Sequence, residues 1–108
     1  MEKVNQVVAR HPNGPTMNDV MLFIQILPAK YREWVQVGAS DDDEICLSIL
    51  RNGKHFSAIL DIDPKYGLYV TWLHSDNGTI IPGESHQVEG QQLEVLDRFK
   101  NAVITIFS

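Results

Sequence analysis

Ile45-Cys46-Leu47-Ser48-Ile49-Leu50-Arg51-Asn52-Gly53-Lys54-His55-Phe56-Ser57-Ala58-Ile59-Leu60-Asp61-Ile62 is the stretch whose reading decides the fold. Two runs of alternating apolar residues flank Asn52-Gly53. Asn-Gly in that setting predicts a two-residue type I′ turn, because both turn positions need positive φ. A two-residue turn fixes the register, so that Ile49 faces Phe56, Leu47 faces Ala58 and Ile45 faces Leu60, and one face of the hairpin is apolar throughout. The same count sets Glu44 opposite Asp61 and Asp42 opposite Asp63. Like charges in paired positions destabilise a sheet, which points to a cation outside the hairpin.

Downstream, Asp63-Pro64-Lys65-Tyr66-Gly67 predicts a five-residue turn, with Pro64 setting φ and Gly67 supplying a left-handed residue. Leu68 to His74 then alternates again. Leu68, Val70 and Trp72 are expected on the face of Phe56, Ala58, Leu60 and Ile62, with Tyr69 on the opposite face beside Asp61. Asp76-Asn77-Gly78 is a second hairpin signal leading into Thr79-Ile80-Ile81, and Pro82-Gly83 is expected to end the pairing. Upstream, Trp34-Val35-Gln36-Val37 starts a candidate strand, and Gly38-Ala39-Ser40 with Asp41, Asp42 and Asp43 reads as a polar loop.

A helix is predicted before Pro28. Thr16 or Asn18 serves as its N-cap, Asp19 suits its positive end, and Val20, Phe23, Ile24 and Leu27 form one stripe. Ala29 to Trp34 reads as a further helical turn. Val4 to Arg10 is a short apolar-polar run, read as a first strand or a tail, and His11-Pro12-Asn13-Gly14-Pro15 is a loop. After Gly90 a closing helix starts near Gln91, with Leu93, Leu96, Phe99 or Lys100, Val103, and Ile106 or Phe107 at helical spacing. Its last five residues also suit a terminal strand. The expected architecture over residues 1–108 is a single α+β domain. An antiparallel β-meander of three to five strands is packed on one face by an N-terminal and a C-terminal helix, and its other face is exposed.

The 108 residues carry a net charge of −5, unevenly spread. Between Glu33 and Asp97 twelve acids face only Arg51, Lys54 and Lys65, whereas the flanks are net basic. Such a field repels phosphate backbones and attracts basic proteins or metal ions, so no nucleic-acid partner is expected. The longest apolar stretch, Val20 to Leu27, is interrupted by Gln25 and is too short to cross a membrane, which needs about 20 residues. The N-terminal residues lack a basic start and an apolar core, and a cytoplasmic location is expected. Cys46, the sole cysteine, excludes an internal disulfide framework and reads as a small buried hydrophobe.

The acids Asp41, Asp42, Asp43, Glu44, Asp61 and Asp63 admit several readings. An EF-hand calcium loop needs alternating ligands around a central glycine, and contiguous acids do not supply that spacing. A magnesium site on Asp61 and Asp63 is allowed, because residues two apart on a strand point the same way. A docking surface for Lys or Arg side chains needs no bond-level geometry, and a solvated strand end needs no function at all. His11, His55, His74 and His86 lie in separate elements without metal-ligand spacing, and His74 reads as a histidine at the rim of the core. Ser48, Ser57 and Ser85 lack a nucleophile elbow, and the glycines form neither G-x-G-x-x-G nor a P-loop. No catalytic residue, metal or cofactor is expected. The candidate partner-binding set is Asp41, Asp42, Asp43, Glu44, Asp61, Asp63 and Tyr69.

The helix from Asn18, the meander with glycine-marked turns, Ile80-Ile81-Pro82, and a closing helix through Arg98-Phe99-Lys100 together resemble bacterial polymorphic-toxin immunity proteins. That group includes the partners of contact-dependent growth inhibition toxins. The resemblance covers most of the chain and rests on element order, size and acidity. It implies a non-enzymatic cytoplasmic protein that neutralises a cognate basic toxin domain, often a nuclease, by binding it. Two other readings stay open: a small metal-dependent enzyme using Asp61 and Asp63, and an acidic adaptor or DNA-mimic inhibitor.

Overall fold

A computed structural model describes residues 2–108, in the order α1 (Glu2–Ala9), α2 (Met17–Gln25), α3 (Ala29–Arg32), β1 (Gln36–Ala39), β2 (Ile45–Arg51), β3 (Lys54–Asp63), β4 (Gly67–Asp76), β5 (Thr79–Gln87) and α4 (Gln92–Phe107). The five strands form one antiparallel sheet in chain order. The fold is α+β, a meander with its helices on one face. No described helix is long and apolar enough to cross a membrane.

The hairpin that decided the fold pairs as expected: Ile49 with Phe56, Leu47 with Ala58 and Ile45 with Leu60. Asn52 and Gly53 take φ of 53° and 78°, the left-handed pair of a type I′ turn. The inward residues Ile45, Leu47, Ile49, Phe56, Ala58, Leu60, Val70 and Trp72 are all buried. Phe99 of α4 is the hub above them. Its ring meets Phe23 of α2, Phe56 and Trp72 edge-on at centroid distances of 5.0, 5.6 and 5.7 Å. Edge-to-face contacts of this kind add about 0.5–1.5 kcal/mol each beyond burial.

Helix α2 starts where its capping signals stand. The Asp19 amide donates to Thr16 Oγ1 at 3.2 Å and the Thr16 amide donates to Asp19 Oδ2 at 2.9 Å, closing a capping box. The helix buries Val20, Phe23 and Ile24. Helix α2 ends at Gln25 with Ile26 as its C-cap, and Pro28 is the N-cap residue of α3, which buries Tyr31.

Several expectations are corrected. Val4 to Arg10 is neither strand nor tail but lies largely within helix α1. Val4, Val7 and Val8 are spaced i, i+3, i+4, which a helix gathers on one side and a strand would split. The C-terminal residues are helix through Phe107, not strand, because Phe99 and Val103 already hold α4 on the sheet. Leu93 does not belong to the packed stripe of α4. It is 83% exposed, and Val95, Leu96, Phe99 and Val103 carry the contact. Pro82-Gly83 does not end the last hairpin, since β5 runs on to Gln87 through a bulge.

Candidate functional site

Among the described residues nothing covers the sheet face turned away from the helices. Reading across the ladder, its side chains fall into rows: Leu50, His55, Ser75 and Ile80; Ser48, Ser57, Leu73 and Pro82; Cys46, Ile59, Thr71 and Ser85; and Asp61, Tyr69 and Gln87. Leu50 and Ile80 are about 70% exposed, and Ile59 and Leu73 are also open to solvent. This face thus carries four exposed large apolar side chains, spread over strands β2 to β5. Short polar contacts hold the rest of the surface, with Thr71 Oγ1 and Ser85 Oγ at 2.8 Å and Ser57 Oγ and His55 Nε2 at 3.3 Å.

Tyr69 lies directly opposite Asp61, on the outer face as expected. Its ring meets Tyr66 edge-on at 6.4 Å, and Lys65 Nζ is 5.1 Å from the Tyr66 ring centre. The two basic residues of the first hairpin are tied to the helix layer instead. Arg51 stacks over Trp34 at 4.1 Å and Lys54 Nζ donates to the Ile106 carbonyl at 3.0 Å. Both are held by contacts that lie off the outer face.

The structure distributes the predicted acids among separate tasks. Asp41, Asp42 and Asp43 make the turn between β1 and β2, where Asp43 is left-handed at φ 62°. Asp43 Oδ1 is 2.9 Å from His11 Nδ1, which ties the turn to the loop after α1. Gly14 of that loop lies under the Asp43 carbonyl, so close that a Cβ would collide with it. Glu44 Oε1 accepts from Ser40 Oγ at 3.1 Å, and the Glu44 carbonyl accepts from the Ser40 amide at 3.0 Å. The expected like-charge pairs, Glu44 with Asp61 and Asp42 with Asp63, are therefore not ladder pairs. Pairing of β2 with β3 stops at Ile45 and Leu60, because residues 40 to 44 close a hairpin of their own.

On β3, Asp61 pairs with Tyr69 and Asp63 with Gly67. Asp63 Oδ1 accepts from the Lys65 and Tyr66 amides at 2.7 and 2.9 Å, an Asx turn that shapes the β3–β4 connection. Among the described residues no three His, Cys, Asp or Glu side chains gather closely enough to hold a metal ion. Asp41, Asp42 and Asp61 remain the least engaged of the six acids, the exposed Asp41 carboxylate having no partner among the described residues. Asp61 Oδ1 accepts only from the neighbouring Ile62 amide, and the exposed Asp42 carboxylate has no partner among the described residues.

Cys46 is corrected as well. It lies on the outer face between Gly38 and Ile59, half-buried, because alternation gives the inward positions to Ile45 and Leu47. Burial pushes its thiol above the ordinary range, and the Glu44 charge adds to the effect.

A second concave region escaped the sequence reading. Beside α4, strand β5 carries Glu84 and His86 inward. His86 Nε2 is 2.8 Å from Glu84 Oε1, and the same oxygen accepts from Arg98 Nη1 at 3.2 Å. The His86 ring lies 5.4 Å from Trp72. The Asn77-Gly78 and Pro82-Gly83 signals gave no hint of this cluster, which depends on one extra residue in β5. No family model, curated protein or solved structure matches the chain.

Proposed function

We propose that this chain is a non-enzymatic binding protein whose bare sheet face captures a basic protein domain, with a toxin or nuclease domain neutralised by an immunity protein as the specific case. The observation that supports the reading is the composition of that face. Leu50, Ile59, Leu73 and Ile80 offer apolar area, Tyr69 and Asp61 stand at one end, and the β1–β2 turn adds Asp41 and Asp42. Aromatic and apolar anchors beside unengaged carboxylates suit a partner that brings Lys or Arg to the rim of an apolar contact. A net charge of −5 steers such a partner from a distance. Asp43, Glu44 and Asp63 support the surface indirectly, by shaping the turns that present it.

The test is association kinetics with a basic domain encoded beside this chain's gene. Asp42→Lys combined with Asp61→Lys is expected to slow association at low salt by about tenfold or more while leaving dissociation and the folded spectrum nearly unchanged. Ile59→Glu is expected to act on dissociation instead. Wild-type association rates in the double variant would sink the electrostatic half of the proposal. Wild-type affinity in Ile59→Glu would remove the sheet face from the interface.

A further inference from the structure

An open groove of about 420 Å³ runs between β5 and α4, with Trp72 and His74 along its floor and Arg98, Ala102 and Thr105 on its helical wall. Trp72 is only 3% exposed, and its indole N–H has no acceptor among the described residues. Among the described residues no buried side-chain nitrogen or oxygen lacks a hydrogen-bond partner, so this N–H must reach solvent. Gly83 shows where it does. A Cβ on Gly83 would come within 2.8 Å of Trp72 Cδ1, the ring atom bonded to Nε1, so this edge of the indole lies at the bulge that borders the groove.

The groove's polar groups are matched unevenly. Its one carboxylate is already engaged, since Glu84 Oε1 takes bonds from both His86 and Arg98. Arg98 uses Nε on Glu94 and one Nη1 hydrogen on Glu84, which leaves three of the five N–H donors of a guanidinium free. The half-buried His74 imidazole also has no partner among the described residues. Indole and guanidinium are donors only. Although Glu84, Asn101 and Thr105 place oxygens in the groove, none of these accepts from the Trp72 indole or from the remaining Arg98 donors, which can take an acceptor from a ligand. Ala102 and Ile106 supply an apolar lining for the rest of a ligand, in a volume typical of small-molecule sites.

We propose that this groove binds a small organic acid, a carboxylate on a compact apolar body, whose oxygens accept from the Trp72 indole N–H and the Arg98 guanidinium. Charge assistance from Arg98 favours a carboxylate over a neutral carbonyl. The site lies on the helix side of the sheet and is independent of the outer face.

The test is a titration of the whole protein followed by the indole N–H resonances. The two tryptophan signals are told apart by the loss of one in Trp34→Phe. Benzoate, benzamide and benzylammonium share a ring and differ in the head group. Benzoate at millimolar concentration is expected to move the Trp72 signal saturably, with affinity at least about tenfold above that for benzylammonium and clearly above that for benzamide. No saturable movement with benzoate, or equal responses to the other two probes, would overturn the proposal. Ala102→Leu narrows the groove and is expected to abolish the response in an otherwise unchanged spectrum. A response retained there at wild-type affinity would put the acid elsewhere and defeat the assignment equally.

Discussion

Asn52-Gly53 and Asn77-Gly78 adopt the same left-handed pair, φ of 53° and 78° in one and 50° and 89° in the other, yet the strands they join behave differently. The first hairpin keeps one register from Arg51 and Lys54 to Ile45 and Leu60. The second starts in register from Asp76 and Thr79 and then slips by one residue opposite Trp72. The turn therefore sets the register only where the strands have something to lose by changing it. In the first hairpin Ile45, Leu47, Ile49, Phe56, Ala58 and Leu60 are all buried, and a slip would send every one of them to solvent. Residues Thr79 to Gly83 of β5 are exposed, so an extra residue there removes nothing from the core. What the slip gains is direction: it turns His86 rather than Ser85 toward Trp72, and sets Glu84 within reach of Arg98.

Removing a core side chain from the first hairpin should produce the largest effect. Phe56 is 1% exposed and packs edge-on to Phe99. Phe56→Ala is expected to cost about 3–5 kcal/mol in chemical denaturation. Ile81→Ala, at a 39% exposed position of the second hairpin, is expected to cost well under a third of that. Similar losses at both sites would mean that the two hairpins are equally built into the core.

Next in size is Gly83→Val. A side chain there would collide with the Trp72 carbonyl oxygen, which is backbone and cannot swing aside. The expected cost is about 1–3 kcal/mol, in the range of overpacking. Hydrogen exchange should place it in β5, with β2 and β3 keeping their protection. Loss of protection throughout the sheet would show that the bulge is part of the cooperative core.

The same contrast explains what the sequence made legible. The Asn52-Gly53 register, the inward set through Trp72, Thr16 as one of two N-cap candidates for α2 and Tyr69 beside Asp61 all follow from rules that act between near neighbours. The bulge does not, because Pro82-Gly83 signals an end of pairing locally, whereas β5 goes on pairing with β4 as far as Gln87. The expected pairing of the acids across the hairpin fails for a related reason. Counting outward from one turn placed Glu44 and Asp42 opposite Asp61 and Asp63, but a competing hairpin, closed by Ser40 with Glu44 and by Asp43 with His11, takes the chain first. Side-chain bonds between residues 32 positions apart carry no local signature. Helix α1 was legible in principle, since Val4, Val7 and Val8 already had helical spacing.

The smallest effect tests whether that competing hairpin also governs the outer face. Cys46 stands two residues after Glu44 on the same side of β2, and its thiol is raised above the ordinary range first by burial and then by the Glu44 charge. A thiol raised in the folded state contributes stability that is complete below its unfolded pKa and is lost as pH rises through the folded value. Glu44→Gln removes the lesser of the two causes, so the thiol's pKa falls and the thiolate fraction at pH 8 rises. Alkylation by iodoacetamide, a neutral reagent insensitive to the lost charge, should accelerate about twofold, because the thiolate is the reacting species. Ser40→Ala frees the Glu44 carboxylate from its 3.1 Å bond and should change the rate in a direction that reports where the charge goes. Slower alkylation places the freed carboxylate nearer the thiol, over the bare face beside Ile59, where a basic partner would meet it. A rate that responds to neither substitution would confine Glu44 to its own hairpin and leave Asp61, with Asp41 and Asp42, as the acidic margin of the sheet.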